Sequence, residues 1–233
     1  MSNKILHITT VHSYDDNRIF HKEIKSLKRA GFNVSIIAQG TSDQVVDGVN
    51  VYSVPFQNGE GDVTFHNSKS LKSTIVTNIG ILKRVVKLKP QVCHFHDPDF
   101  IFSAIFLSIL GKKVVYDVHE DVPNQILAKN WIPKTFRKSI SIIFSLIEFI
   151  SSRFFFTLII AATPTIGLRF PPKKTVVVMN YPKLSEFENF KPNKHKEHSL
   201  IYIGSIGITR GIKELMLAFE KIKHKSAKLY LAG

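Results

Sequence analysis

The sequence predicts an α/β fold: a Rossmann-like parallel sheet with helices on both faces, followed by one βαβ unit of a second, truncated Rossmann-like domain. Short apolar segments alternate with longer segments of helical periodicity over most of the chain, which is typical of parallel sheets with crossover helices. After an aperiodic charged segment, the alternation begins again. We therefore predict a first domain over 1–182, a linker over 183–198 and the start of a second domain over 199–233.

Each element of the first domain is predicted by its own local pattern. Gly31 and Pro90 end the first two helices, because glycine suits a helix C-terminus and the residue before proline disfavours helical backbone. Asp97 suits a helix N-cap and Pro98 the first helical position, where its missing N–H costs nothing. The predicted strands cover 4–10, 33–38, 49–54, 92–95, 113–117, 157–161 and 175–179. The predicted helices cover 18–30, 70–88, 98–110 and 134–153, and polar loops cover 12–17 and 56–66.

The second domain is represented by a strand over 200–203, a loop over 204–209, a helix over 211–223 and a strand over 228–231. About 35 residues cannot bury a core of their own. We therefore expect this part to be incomplete, and the chain by itself to be a fragment or an inactive product.

Composition limits the possible classes of protein. The chain is 44% hydrophobic and 21% charged, which indicates a folded protein. The single cysteine, Cys93, excludes an internal disulfide or a cysteine-based zinc cluster and fits a reducing compartment. No secretory signal is visible, so we expect a cytoplasmic protein. The net charge of +14 allows nucleic acid or an anionic membrane as a partner, but no RNA-binding or zinc-finger pattern is present. We expect no nucleic-acid binding.

Two segments raise the question of membrane contact. Six basic residues and no acid occur over 69–89: Lys69, Lys72, Lys83, Arg84, Lys87 and Lys89. The apolar region 139–170 is interrupted by charges and falls short of the roughly 18 residues of a spanning helix. Within it, Ser141, Ser145, Glu148 and Ser152 form one polar stripe at helical spacing. We expect a core helix buried on most sides, with the alternative of a peripheral helix on the inner face of the plasma membrane.

Polar residues follow strand after strand at the predicted carboxyl edge of the sheet. In open parallel sheets, ligands bind beyond this edge. The repetition predicts a binding site, because a purely structural sheet needs no such rim. The candidate residues are His12, Asn17, Arg18, His96, Asp97, His119, Glu120, Thr163 and Asn180.

Other site chemistries are less well supported. The first strand does not lead into the glycine pattern of dinucleotide-binding folds, and no P-loop is present. His94 and His96 share a strand face and, with Asp97, have the spacing of a hydrolase metal site. However, His94 lies inside a strand, where a core position is more common. His119-Glu120 lacks the second histidine of a zincin helix, since position 123 is proline. We expect no metal and no cofactor.

Several motifs resemble glycosyltransferases of the GT-B architecture, and in particular the retaining bacterial enzymes that build surface polysaccharides. The motifs are HSYDDNRIFHKE (12–23), VCHFHDPDF (92–100), VVYDVHED (114–121), AATPTI (161–166), VVVMNYP (176–182) and IYIGSIGITRGIKELMLAF (201–219). Each is weakly specific, but together they follow the order and spacing of that family over nearly the whole chain.

The resemblance implies roles for individual residues. His119 matches a histidine close to the transferred sugar, and Asp97 and His96 match a rim position that contacts acceptor or sugar. Asn17 and Arg18 match the first loop near the reaction centre. Gly204 matches the residue that lets the chain pass the donor diphosphate. Ser205 follows it, and Arg210 matches the cation that neutralises the diphosphate.

The implied function is sugar transfer from a nucleotide-diphosphate donor to a polysaccharide or lipid-linked glycan. One departure is Ser205, since many relatives have arginine there, and another is that the family's downstream glutamate pair lies beyond Gly233. The alternatives are a nucleotide-sugar epimerase of the same fold, the metal-dependent hydrolase described above, and a non-catalytic module that binds a membrane surface or acceptor. The sequence predicts no oligomeric state.

Overall fold

An eight-stranded, mostly parallel sheet forms the centre of the protein in a computed structural model. The structure describes residues 4–54, 71–129, 131–184, 187–188 and 197–233. The predicted loop over 56–66 and most of the predicted linker lie outside these residues. The chain divides into two units, an N-terminal unit (Met1–Tyr181) and a C-terminal unit (Pro182–Gly233).

The strand order in the N-terminal unit is β3-β4-β2-β1-β5-β6-β7-β8. The strands are β1 (Lys4–Ser13), β2 (Asn33–Gln39), β3 (Gln44–Val46), β4 (Val49–Val54), β5 (Val92–Phe95), β6 (Lys113–Val118), β7 (Leu158–Ala161) and β8 (Thr175–Val177). Only β3 pairs in an antiparallel manner among the described strands. The α/β prediction and the parallel sheet are thus confirmed.

Helical segments connect the strands. A π-helical segment (Asn17–Ile24) continues as α1 (Lys25–Arg29), and a 3₁₀ turn (Pro98–Phe100) continues as α3 (Ile101–Ile109). The others are α2 (Leu71–Leu88), α4 (Val122–Ala128), α5 (Lys134–Phe154), α6 (Pro164–Gly167) and a second 3₁₀ turn (Pro172–Lys174). The short elements β3, α4 and α6 and the second 3₁₀ turn were not predicted.

Two apolar cores cover opposite faces of the sheet. Side chains alternate along a strand, so Leu6 and Ile8 of β1 face one side together with Ile81 of α2. On the other side, Phe20 and Ile24 of the π-helical segment pack on β2 and β4. The second face also receives the polar side chains described below.

The predicted loop over 12–17 is partly wrong, because β1 extends to Ser13. The side chain of Thr9 accepts hydrogen bonds from the backbone N–H groups of Val11 and His12, at 3.3 and 2.9 Å. His12 therefore lies at the end of a strand, and Asp16 caps the following helical segment by accepting from the N–H groups of Arg18 and Ile19.

The prediction that helix α5 is buried on most sides is wrong. The side chains of its predicted polar stripe are mostly buried and its apolar side chains are mostly exposed. Its polar residues Ser141, Glu148 and Ser152 are buried, at 8%, 2% and 0% exposure. Its apolar side chains are largely exposed, and they include Phe136, Ile142, Ile143, Leu146, Phe149 and Phe154. Ser145, the fourth member of the predicted stripe, is exposed as well. Among the described residues, no helix is both long and apolar enough to cross a membrane.

Buried polar contacts explain this orientation of α5. Glu148 accepts a hydrogen bond from the Tyr116 hydroxyl at 3.2 Å and pairs with Arg169. The Lys174 ammonium donates to the carbonyl oxygens of Arg153 and Phe156, at 2.7 and 3.0 Å, at the C-terminal end of the helix. A buried carboxyl group needs such partners, so the polar stripe has to face the sheet.

The C-terminal unit is a single βαβ unit. It contains β9 (Ser199–Ile203), a 3₁₀ turn (Ile208–Arg210), α7 (Ile212–Glu220) and β10 (Lys228–Ala232). The two strands pair in parallel, with Leu200 opposite Leu229. Many of its apolar side chains are exposed, including Leu200 and Ile203, as expected for about 35 residues that cannot form a core.

Candidate functional site

The candidate site of the N-terminal unit lies where β1, β5 and β6 end beside one another. These strands are neighbours in the sheet and run in parallel, so their carboxyl ends meet at one edge. His12 ends β1, His96 and Asp97 follow β5, and His119 follows β6. The structure thus brings together the rim residues that the strand pattern predicted at these three strands.

Hydrogen bonds from β1 hold the Asp97 carboxylate in place. Its Oδ2 atom accepts hydrogen bonds from the Thr9 hydroxyl at 2.6 Å and the Thr10 N–H at 2.7 Å. Asp97 occupies the predicted N-cap position of the following turn, but its carboxylate makes no capping hydrogen bond to that turn. Pro98 does occupy the start of that turn, as predicted. The second oxygen of Asp97 lies 3.5 Å from Nε2 of His12 and is thus directed toward the rim.

Arg18 and Asp117 form a buried ion pair beneath the rim. The guanidinium donates two hydrogen bonds to the carboxylate, at 2.9 and 2.6 Å, and a third to the carbonyl of Val178 at 3.1 Å. Burial opposes ionisation of Asp117. The hydrogen bonds from Arg18 and His96, together with the nearby ring of His119, outweigh burial and hold the pKa of this carboxyl well below its usual range. Arg18 therefore acts here as an anchor and does not reach the surface as a free cation.

His119 and His12 are two titratable side chains of the rim that are partly accessible. Their side chains are 21% and 31% exposed, and their ring centroids are 5.6 Å apart. His119 Nδ1 lies 3.7 Å from an Asp117 oxygen, which is longer than a hydrogen bond. Burial opposes protonation of His119, but the Asp117 carboxylate outweighs it and raises the pKa of this imidazole. Two imidazoles above two carboxylates can bind hydroxyl groups as donors or acceptors.

A group of ionisable residues lies deeper, on the sheet face covered by the π-helical segment. The rings of His7, His94 and His96 form a triangle, with centroid distances of 4.4 Å (His7–His94), 5.2 Å (His7–His96) and 4.6 Å (His94–His96). Burial lowers the pKa of His94 to about 3 and that of His7 well below its usual value, and repulsion between the rings adds to this effect. Burial, aided by the charge of Asp117, raises the pKa of Glu23 to about 9. At neutral pH the imidazoles of His7 and His94 are therefore uncharged.

The other predicted residues lie farther out on the rim. Asn17 and Glu120 are exposed. The Thr163 hydroxyl accepts from the N–H of Ile166 and caps α6, which is a structural role. Asn180 accepts a 2.6 Å hydrogen bond from the Lys22 ammonium. The structure does not join these four residues to the His12–Asp97–His119 cluster by any hydrogen bond among the described residues.

The predicted diphosphate-binding residues belong to the C-terminal unit. Gly204 has a φ of 148°, which favours glycine, and its N–H bonds the carbonyl of Ala232 at 2.8 Å. Ser205 is exposed and its carbonyl accepts from the Tyr202 hydroxyl. Arg210 is exposed at the end of a 3₁₀ turn. Gly204, the glycine predicted at this position, thus has a backbone conformation that favours glycine.

Four side chains of this region were not predicted from the sequence: Asp117, Thr9, His7 and Glu23. Asp117 is an acid inside an otherwise apolar strand, and His7 aligns with His94 across the β1–β5 pairing. Glu23 occurs at an inward helical position between Phe20 and Ile24. Ionisable residues at inward positions of an element were the available signal, since such positions are normally apolar.

The hydrolase hypothesis placed a metal ion between His94, His96 and Asp97. Asp97 is not part of the group around these two histidines, and its Oδ2 atom accepts hydrogen bonds from Thr9 and Thr10 instead. Among the described residues, the side chains that gather with His94 and His96 are His7 and Glu23.

Comparison with solved structures identifies the fold. Over 99% of the chain, the structure matches a sucrose-phosphate synthase from Thermosynechococcus elongatus with a TM-score of 0.68 at 14% identity. It matches a glycosyltransferase from Rickettsia africae over its whole length, with a TM-score of 0.53 at 13% identity. A UDP-N-acetylglucosamine 2-epimerase from Rickettsia bellii matches over 99%, with a TM-score of 0.53 at 11% identity. The chain shares the α/β fold, with a Rossmann-like sheet, of these GT-B proteins.

The match is one of fold and not of close relationship. The chain covers 62% of the synthase, 69% of the glycosyltransferase and 62% of the epimerase, and so spans less than two thirds of two of these proteins. No family model and no curated protein sequence matches it.

Proposed function

We propose that this chain is the acceptor-side part of a retaining glycosyltransferase that moves a sugar from a nucleotide-diphosphate donor to a polysaccharide or lipid-linked glycan. The main support is the cluster at the carboxyl edge of the sheet, where His12 and His119 lie over Asp97 and Asp117. The fold is shared with a solved glycosyltransferase and a sucrose-phosphate synthase, and the ordered motifs of the sequence point to the same class.

The chemistry of the rim suits a sugar hydroxyl. An imidazole can donate to or accept from a hydroxyl. Because Asp97 and Asp117 are already hydrogen-bonded by threonine, arginine and backbone groups, the histidines are left as the contacting groups. His119 is accordingly the residue that we assign to the transferred sugar. In the C-terminal unit, we assign Gly204 and Arg210 to the donor diphosphate.

The experiment is an assay of sugar transfer by the protein, expressed with any sequence that follows Gly233 in its gene. A panel of nucleotide-diphosphate sugars is incubated with membrane lipid and glycan extracts, and products are detected by mass spectrometry. Removal of one hydrogen-bonding group aimed at the reacting sugar lowers turnover by about 100- to 1,000-fold, which we expect for His119→Ala. His224→Ala, an exposed histidine of the C-terminal unit, is the control. Equal turnover by His119→Ala and the control would remove the role of His119.

A second candidate activity is epimerisation of a nucleotide sugar, which is supported by the match to an epimerase of the same fold. An epimerase needs no acceptor. Analysis of the sugar products without added acceptor therefore separates the two: an isomerised sugar supports the epimerase, and a glycosylated acceptor supports the transferase. The anomeric configuration of the glycoside, measured by NMR, tests retention.

The exposed apolar face of α5 supports an anionic lipid surface as a partner. Ile142, Leu146 and Phe149 are 58%, 55% and 47% exposed, and contiguous exposed apolar groups of this kind mark interaction sites. Lys134 and Lys138 are exposed near the same helix end, and the net charge is +14. An apolar helix face bordered by lysines fits the interface of an anionic bilayer, where a lipid-linked acceptor would lie.

Sedimentation with liposomes tests this partner. We expect binding to vesicles that contain phosphatidylglycerol at low salt and weaker binding at high salt. The triple variant Ile142→Ser/Leu146→Ser/Phe149→Ser should lose most binding, whereas Val76→Ser/Ile79→Ser, which changes exposed residues of α2, should retain it. If the triple variant binds like the control, or if the α5 face instead mediates dimerisation, the lipid assignment is wrong.

A further inference from the structure

Three histidines and one glutamate meet on the sheet face that the π-helical segment covers. His7 of β1 lies opposite His94 of β5 in the strand pairing. His96 shares the face of His94 because side chains two residues apart in an extended chain point the same way. Glu23 comes from the helical segment above them. One ligand atom of each residue lies within 4.8 Å of those of the other three.

This group contains buried polar atoms that make no hydrogen bond. They are Nε2 of His7, Nε2 of His94 and both carboxylate oxygens of Glu23. His7 and His94 are 0% and 4% exposed, and Nε2 of His94 lies 3.9 Å from a Glu23 oxygen. An ion pair of Glu23 with Arg18 at 3.2 Å is the one charged contact to these atoms in the described structure. Unpaired buried polar atoms are rare in folded proteins. The three that have neither a hydrogen bond nor the ion pair, namely Nε2 of His7, Nε2 of His94 and the second Glu23 oxygen, therefore indicate a ligand.

The donor set is that of a transition metal. Three imidazoles and one carboxylate bind borderline divalent ions such as Zn²⁺, at about 2.0–2.2 Å from each donor atom. A tetrahedral site with such bonds has donor atoms about 3.3 Å apart, so modest inward movement of the side chains from their present spacing completes it.

Asp117 supplies the support that metal-binding histidines usually have. Its Oδ2 atom lies 3.1 Å from Nδ1 of His96. Nε2 of His96 lies within the group, 3.0 Å from Nδ1 of His7, and a bound metal ion would replace this hydrogen bond. A carboxylate that accepts from the far nitrogen of a ligating histidine fixes the tautomer and orientation of the ring. The ion pair of Asp117 with Arg18 in turn holds this carboxylate in place.

The geometry points to a buried divalent transition-metal site of the zinc class, with His7, His94, His96 and Glu23 as its ligands. This differs from the expectation from the sequence that the protein binds no metal. Four protein ligands under a helix leave no open coordination position, which is the arrangement of a structural site. The ion would join β1, β5 and the π-helical segment directly beneath the rim. The inference does not depend on the proposed sugar transfer.

The first test is metal content. The protein is purified without a histidine tag or a metal column, and bound metals are measured by mass spectrometry. We expect about one zinc-class ion per chain, lost with a strong chelator and restored by Zn²⁺ with a rise in Tm. Substitution by Co²⁺ should give the intense visible absorption of a four-coordinate site. A wild-type protein that neither contains nor takes up metal, judged by competition with a chromophoric chelator, overturns the proposal.

Variants locate the site. His94→Gln and Glu23→Gln, which remove a ligand with little change in volume, should each lose the bound ion and the Tm rise on adding Zn²⁺. Asp117→Asn should weaken binding by about 10- to 100-fold. His224→Gln, outside the group, is the control and should bind as the wild type does. Metal retained by both ligand variants would place it elsewhere and refute the assignment. If these variants do not fold, the Co²⁺ spectrum of the wild-type protein decides: nitrogen and oxygen ligation in four coordination supports the site, and octahedral coordination refutes it.

Discussion

Removal of the Lys174 ammonium should release the C-terminal end of α5. Lys174 donates to the carbonyl oxygens of Arg153 and Phe156 at 2.7 and 3.0 Å, and more weakly to that of Ser152 at 3.4 Å. Helix C-termini have unpaired carbonyl groups that favour a cation. Lys174→Met keeps the aliphatic part of the side chain and removes only this charge and its hydrogen bonds.

The magnitude follows from the two short bonds. Hydrogen bonds to charged groups contribute about 1.5–3 kcal/mol each. Lys174 is only partly buried, so water replaces part of the loss, and we expect a decrease in unfolding free energy of about 1.5–3 kcal/mol in total. In a domain of this size, that corresponds to a Tm decrease of about 4–10 °C.

Urea and thermal unfolding, followed by circular dichroism and by the fluorescence of the single tryptophan, Trp131, measure this change. The matched control is Lys173→Met, the exposed neighbour, which should change stability by less than about 0.5 kcal/mol. If both variants unfold alike, Lys174 does not hold α5 and the explanation for its inverted orientation fails.

Two further predictions concern the rim. Arg18→Lys cannot reproduce the two hydrogen bonds to Asp117 and should lower the free energy of unfolding by about 2–4 kcal/mol. The control Arg84→Lys, at an exposed pair with Asp43, should lower it by less than about 1 kcal/mol. Similar losses in the two variants would contradict a buried Arg18 anchor. The NMR titration of His119 should give a pKa above its ordinary value of 6.5. Because that pKa is raised in the folded state, its contribution to stability is complete below the unfolded pKa and is lost as pH rises through the folded pKa. His119→Gln should remove this pH dependence, and a wild-type His119 that titrates at or below 6.5 would contradict the interaction with Asp117.

The parallel sheet was predictable because its strands are apolar segments separated by helical periodicity. The order of elements and most of their bounds follow from that alternation. Several short elements were not predicted, among them β3 (Gln44–Val46) with three residues, α6 (Pro164–Gly167) with four and α4 (Val122–Ala128) with only two turns. Elements of this length carry too few residues to show a period.

The orientation of α5 could not be predicted from its own sequence. A polar stripe and an apolar face define which residues lie together, and the usual preference places the apolar face inward. Here Tyr116, Arg169 and Lys174 decide otherwise, because they supply buried partners for Glu148 and for the helix end. These partners are far away in the sequence, so only the folded chain brings them to the helix.

The rim of the candidate site was predicted better than the region beneath it. Residues such as His12, Asp97 and His119 follow strands, and strand ends in parallel sheets meet at one edge. Asp117 and Glu23 lie inside elements, where the pattern indicates core positions. Their importance depends on neighbours across the sheet, which a single sequence without homologues does not identify.

The most direct test of the proposed function is a comparison of sugar transfer by the wild-type protein and by His119→Ala, each expressed with any sequence that follows Gly233 in its gene. The proposal predicts a glycosylated acceptor from at least one nucleotide-diphosphate sugar, with turnover about 100-fold or more lower in the variant and unchanged in His224→Ala. No sugar-bearing product from any donor, or equal turnover by all three proteins, would contradict it.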